Sequence, residues 1–220
     1  MPAMLMAAVT FSLMACDDTG KPTSAGTAAP VKAIEEAPPP PADVDVLLPA
    51  VPEGLSQTVK VEGSSIQFTG AKLTRSHDGS FAGFSGQVIL KDDQVIGTVF
   101  TIDLTSTTAD SAKLAKHLMS KDFFDVAKYG EAKFVSSSIE PAPNPGAVTH
   151  KVEGVLDFHG KTRPLSFPAS ISVGETETTV TATFDINRQN WGVAYPGKPD
   201  DLIKDDVELR LNLTFPVASK

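Results

Sequence analysis

From about Glu53 onward, apolar and polar residues of this chain alternate one by one. In VIGTVFTIDLTS the residues Ile96, Thr98, Phe100, Ile102 and Leu104 share one face. In PLSFPASISV the corresponding set is Leu165, Phe167, Ala169, Ile171 and Val173, and in VELRLNLTF it is Val207, Leu209, Leu211, Leu213 and Phe215. Side chains of a strand point to opposite faces in turn, so each stretch reads as a strand with one apolar and one wet face. Turn residues such as KDDQ (Lys91 to Gln94) and HGKTR (His159 to Arg163) separate them. Strands apolar on one face only must bury that face by curling into a barrel or by packing sheet on sheet. Short connections between neighbours favour the barrel. The expectation is an all-β fold: an extended, up-and-down antiparallel β-barrel of about eight strands, lipocalin-like, whose interior is either just filled or able to hold one small ligand.

One region breaks the pattern. Asp110 reads as the N-cap of a short helix from Ser111 to about Met119, with Leu114 and Leu118 on one face. The rings of Phe123 and Phe124 follow before a strand resumes at Phe134. A helix laid over a barrel end places these rings either as a lid over a cavity or as the plug that completes a filled core. The residues alone leave both readings in place.

The chain carries a formal charge of -8 and a pI near 4.9, which excludes binding of nucleic acid through summed positive charge. It has one cysteine, Cys16, so an intramolecular disulfide and a zinc site built on cysteines are excluded. Residues 1–16, MPAMLMAAVTFSLMAC, are apolar, too short to span a bilayer, and end in a small residue followed by that cysteine. They read as a signal peptide, and Leu13 to Cys16 resembles the lipobox of bacterial lipoproteins. Cys16 is then the lipid-attachment residue, and the expected location is periplasmic, anchored to the inner or the outer bacterial membrane. Residues 17–52 contain no aromatic residue and include Pro38 to Pro41 in a row, the composition of a disordered linker. The folded domain is expected over 53–220.

Three ordered segments, HLMSKDFFDVAKYGEAKFVSSSI, VEGVLDFHGKTRPLSFPASI and FDINRQNWGV, resemble the signature regions of the YceI-like family. These are bacterial extracytoplasmic proteins with a lipocalin-like barrel that bind polyisoprenoid or related long-chain lipids. The resemblance runs from about Val59 to Phe215. It implies a lengthened barrel with an apolar tunnel for an isoprenoid tail of quinone or polyprenyl type, no cofactor and no catalytic residue. The residues expected to wall the tunnel are Phe68, Phe84, Phe100, Leu118, Phe123, Phe124, Phe134, Phe158, Phe184 and Trp191. Burial of several hundred Å2 of lipid at about 25 cal/mol per Å2 holds such a chain without specific polar contacts. Arg188 and His117 are head-group candidates, since guanidinium suits phosphate or quinone oxygens.

No other chemistry has comparable support. The histidines lack metal spacing, and no nucleophile elbow or phosphate loop occurs. His77 is read as a turn residue. The acidic run at Asp200, Asp201, Asp205 and Asp206 is not an EF-hand and reads as a solvated turn. The second function class is a filled barrel acting as an interaction or stress-protective module without a lipid. Exposed strand edges leave a homodimer open.

Overall fold

The computed structural model describes residues 45–143 and 146–217. Cys16, the expected signal segment and residues 17–44 of the expected linker lie outside them. Among the described residues the elements are β1 (Leu55–Thr58), β2 (Lys60–Ala71), β3 (Ser76–Phe81), β4 (Phe84–Lys91), β5 (Gln94–Asp103), β6 (Thr107–Ala109), α1 (Ala112–Leu118), β7 (Glu131–Pro141), β8 (His150–Phe158), β9 (Lys161–Val173), β10 (Glu177–Asn187), β11 (Gly197–Lys198), β12 (Asp201–Leu202) and β13 (Asp206–Pro216). Short 3-10 turns cover Leu104–Ser106 and Arg188–Trp191.

Eleven strands form one antiparallel sheet in the order β1-β4-β5-β7-β8-β9-β10-β13-β2-β3-β6, while β11 and β12 form a separate small hairpin. The sheet is strongly curled and barrel-like. β1 lies at one end of this order against β4, and β2 lies against β13 in the other half. Only Val59 separates β1 from β2, so one stretch of chain serves both halves of the sheet.

The strand count departs from the expected eight, for local reasons. Val59 donates to the Gly86 carbonyl at 2.9 Å and breaks one long run into β1 and β2. Ala82 and Gly83 interrupt another between β3 and β4, because their amides turn aside to the Ser106 carbonyl (3.3 Å) and hydroxyl (2.8 Å). The remaining strand is the edge strand β6, contributed by a long connection. The inner face changes parity across both of the first two breaks, from Val59 to Ile66 and from Phe81 to Val88, because the acceptors that turn the chain aside lie on other elements.

Two tight hairpins follow from the turn residues. Asp92 and Asp93 both adopt positive φ, as do His159 and Gly160, the geometry of a two-residue type I′ turn. In β5 the face assignment shifts: Ile89 pairs with Gly97 but Leu90 pairs with Val95, which leaves Ile96 as an extra residue. The bulge turns Val95 rather than Ile96 toward the interior.

Residues 45–52, read from the sequence as the end of a linker, lie along the outer face of the sheet as a strap. Val46 donates to the Thr162 carbonyl at 3.1 Å, and Asp45 pairs with the buried Arg163 at 2.5 Å. At its other end Pro52 sits on Gly97, where a Cβ would lie 2.5 Å from the proline ring. Residues 46–52 span about 20 Å when extended, enough to cross from β9 over β8 and β7 to β5. The crossing accounts for Val135 and Val155, which face outward yet are only 2% and 7% exposed.

Candidate functional site

The strand order places the two long connections at the same end of the sheet. One runs from the end of β5 to β7 and carries α1; the other runs from β10 to β13 and carries β11 and β12. Ser111, not Asp110, is the N-cap of α1: its hydroxyl accepts from the Leu114 amide at 3.2 Å. Asp110 instead accepts from the Asp78 amide at 2.9 Å and contacts His77 Nδ1 at 2.7 Å. This bond from His77 holds the Asp110 carboxyl below its ordinary pKa.

After α1 the chain folds back tightly, with Phe124 N–H donating to the Leu118 carbonyl at 2.9 Å. Phe124 is thereby turned into the end of the sheet, 6.4 Å from Phe68, 6.1 Å from Phe81 and 5.8 Å from Phe158. Phe123 packs 5.1 Å from Tyr195, so a ring contact joins the two long connections. The opposed rings lie at the separations and tilts that aromatic pairs prefer. Together they cover one end of the bore.

Below this cover a cavity of about 230 Å3 runs inside the sheet. Its wall extends from Leu114, Leu118 and Phe124 at the covered end to Val88, Val152, Ile171, Val180 and Leu213 toward the other. An apolar cavity of about 150 Å3 is already enough to stay dry and take up benzene. The cavity persists because several rings lie flat on the wall over glycines. A Cβ at Gly79 would stand 2.2 Å from the Phe68 ring, at Gly86 2.8 Å from Phe100, and at Gly154 2.4 Å from Phe134. A glycine on the neighbouring strand lets each ring recline; a side chain there would push the ring into the bore.

Eight of the ten expected wall residues line this cavity: Phe68, Phe100, Leu118, Phe123, Phe124, Phe134, Phe158 and Phe184. Phe84 and Trp191 are buried but do not line it. Trp191 is a packing residue, its indole N–H donating to the Leu156 carbonyl at 3.0 Å. Phe81, Phe167 and Phe215 also line the cavity and were missed. Phe167 and Phe215 stood on apolar faces already legible as such, and that signal was sufficient to include them.

The head-group candidates have other occupations. Arg188 reaches the cavity wall, but every nitrogen of its guanidinium has a protein acceptor. Nε donates to Lys204 O at 3.1 Å, Nη1 to Val193 O, and Nη2 to Ile203 O at 3.3 Å and Asp205 Oδ1 at 2.9 Å. It clamps the β11–β12 connection to the barrel. His117 lies outside the cavity wall, 3.1 Å from Asp122 Oδ2 and edge-on to Phe123 and Tyr195. The other polar residues at the covered end are Lys72, His77 and Asp78, and Lys72 pairs with Asp201 at 3.3 Å. Among the described residues no cluster of three or more His, Cys, Asp or Glu side chains is placed to hold a metal ion.

A curled antiparallel sheet around an apolar bore defines a barrel-like architecture with an internal cavity. The profile of the YceI-like domain matches residues 57–215. The chain belongs to the YceI-like domain family. An UPF0312 protein of Pseudomonas putida (strain GB-1) is 30% identical over 139 residues, 60% of this chain and 71% of the relative. Another from Pseudomonas fluorescens (strain SBW25) is 32% identical over 114 residues, 49% of this chain, and the chain spans only 58% of that relative's length. Among solved structures, Burkholderia cenocepacia BcnA is similar with a TM-score of 0.64 and 25% identity, covering 71% of this chain and 98% of that one. A polyisoprenoid binding domain from Saccharophagus degradans shares the fold with a TM-score of 0.60 and 14% identity, covering 76% of this chain and all of the other.

Proposed function

We propose that this protein binds a long-chain apolar lipid of isoprenoid type inside the sheet and carries or sequesters it outside the cytoplasm. The observation that carries the reading is the continuous, almost wholly apolar wall of the cavity, from Phe124 to Leu213. A chain burying about 400 Å2 there gains roughly 10 kcal/mol of gross transfer free energy at about 25 cal/mol per Å2. Ordering and desolvation offset part of that gain and leave an affinity useful to a reversible carrier. Kinship with a family whose fold neighbours include a polyisoprenoid binding domain supports the same ligand class. The polar head of the guest sits at the covered end near His77 and Lys72. Cys16 attaches the protein to a membrane by a lipid, and the stretch up to the strap acts as its tether in the periplasm.

The test is native mass spectrometry of the gently purified full chain, followed by organic extraction. The expected result is a discrete mass increment that disappears on denaturation and an extracted molecule with a long branched hydrocarbon chain. An extract containing no lipid, together with failure to take up added polyprenol, contradicts the proposal. The filled-barrel alternative has to account for a cavity that it does not require.

A further inference from the structure

We infer that the apolar guest passes into and out of the bore sideways, between β9 and β10, rather than through the ring-covered end. This inference rests on the binding reading above and adds a route to it.

The two strands run side by side, but their ladder is short. Paired residues run from Thr178↔Val173 to Thr181↔Ser170 and stop, although β9 extends back to Lys161 and β10 on to Asn187. The sequence supplies the reason. The two-residue turn at His159 and Gly160 fixes Phe158 and Lys161 as a hydrogen-bonded pair, so the odd-numbered residues of β9 spend their backbone groups on β8. The even-numbered residues therefore face β10. Thr162 bears this out: its amide and carbonyl both turn to the strap, meeting Asp45 Oδ1 and Val46 N at 3.1 Å. Pro164 and Pro168 have the same parity. Neither has an N–H, so the β9 edge lacks donors at two of the positions where the ladder would continue.

What closes the gap is side chains. Extending the register places Phe167 opposite Phe184 and Leu165 opposite Ile186, and all four line the cavity. The Phe167 and Phe184 rings stack at 4.3 Å with planes 12° apart. On the outside, Pro164, Ser166, Thr183 and Asp185 are exposed, and among the described residues the strap meets this edge at Thr162. A similar parting between β5 and β7 is sealed. There Ser136 Oγ accepts from Thr98 N at 2.8 Å and donates to Thr98 O at 3.3 Å, and Pro52 covers Gly97. Rotating two stacked rings breaks no hydrogen bond. Uncovering the far side of α1 breaks the Phe123, Phe124 and Tyr195 contacts and the backbone bonds that fold the connection. The β9–β10 flank is the less costly way through, and it exposes a hydrocarbon chain directly to a membrane or an acceptor.

The experiment uses the full chain with Cys16→Ser and the pair Ser166→Cys and Asp185→Cys, which bridges the gap when oxidised. Stopped-flow fluorescence follows binding and release of dansyl-labelled farnesol. Expected is at least a tenfold slowing of both rates in the oxidised form, an equilibrium Kd within about twofold, and full recovery on reduction. A second variant, Pro164→Val with Pro168→Val, restores the missing donors and is expected to slow exchange without any cross-link, while Phe184→Ala accelerates it. Equal rates in oxidised and reduced protein, with normal rates in the proline variant, overturn the flank route while leaving lipid binding intact. Failure of the wild type to bind the probe at all overturns the binding reading, and the route with it.

Discussion

Replacing Gly79 and Gly154 by alanine, one at a time, separates a wall residue that can yield into the bore from one that cannot. At Gly79 the new Cβ stands 2.2 Å from Phe68 Cζ and 2.7 Å from two further ring atoms, and nothing else is closer. Contact between carbons is relaxed at about 3.5–4.0 Å, so the ring must withdraw by roughly 1.5 Å. The space behind it is the cavity, and Phe68 rotates into it. The expected cost is at the low end of overpacking, about 1 kcal/mol. At Gly154 the Cβ meets Phe134 at 2.4 Å and also the Val135 carbonyl oxygen at 2.4 Å. That oxygen belongs to β7, which is held on both sides by β5 and β8. Backbone must move, so the expected cost is about 3 kcal/mol or more. For a domain of this size each kcal/mol lowers Tm by about 2–4 °C, so the two variants separate clearly in a thermal or urea melt. Gly79→Ala should also retain less lipid, because Phe68 then occupies the bore. Equal destabilisation by the two substitutions, or a silent Gly154→Ala, refutes the idea that the wall rings back onto empty space.

Phe215→Ala removes a fully buried ring that packs edge-on to Phe100 at 6.0 Å and is expected to lower stability by about 3–5 kcal/mol in urea unfolding. Arg188→Met leaves the carbonyls of Val193, Ile203 and Lys204 without their donor; limited proteolysis should cut between Tyr195 and Lys204 faster than in the wild type, while the rest of the sheet stays resistant. Asp110 has a folded pKa below its ordinary value of 3.8, so its carboxylate contributes stability above that pH and loses it as the pH falls through the folded value. Asp110→Asn should therefore have a lower urea midpoint than the wild type at pH 6, and the difference should close as the pH is taken below about 3.8.

The alternation of residues such as Val207, Leu209, Leu211, Leu213 and Phe215 made the strands and their inner faces legible, because the period of a strand is independent of its partner. The Ile96 bulge was not legible, since it comes from how β4 and β5 register and not from either strand alone. The same holds for the breaks at Val59 and Ala82, which depend on acceptors distant in sequence. For the site, the rings of Phe123 and Phe124 stood out because they interrupt the pattern. Arg188 read as a head-group candidate, and only its fold neighbours reveal that its donors are spent on three carbonyls and the Asp205 carboxylate. His77 read as a turn residue and proves to sit beside the cavity with Asp110. The asymmetry is general: apolar faces are written locally, whereas polar pairing is written in the tertiary contacts. The gap beside β9 lies between these cases, since its prolines are plain in the sequence but acquire meaning only once the hairpin fixes their parity.

The central claim is that the bore is where the lipid lies. Leu211 faces it from β13, with Ala182 and Ile66 as its neighbours across the ladder. Leu211→Trp puts an indole into the space without touching the covered end or the β9–β10 flank. The most direct test compares native mass spectra of the wild type and this variant, with far-UV circular dichroism to verify the fold. The expected result is an unchanged fold and loss of the lipid mass increment. A correctly folded variant that still carries the same increment places the lipid elsewhere and contradicts it.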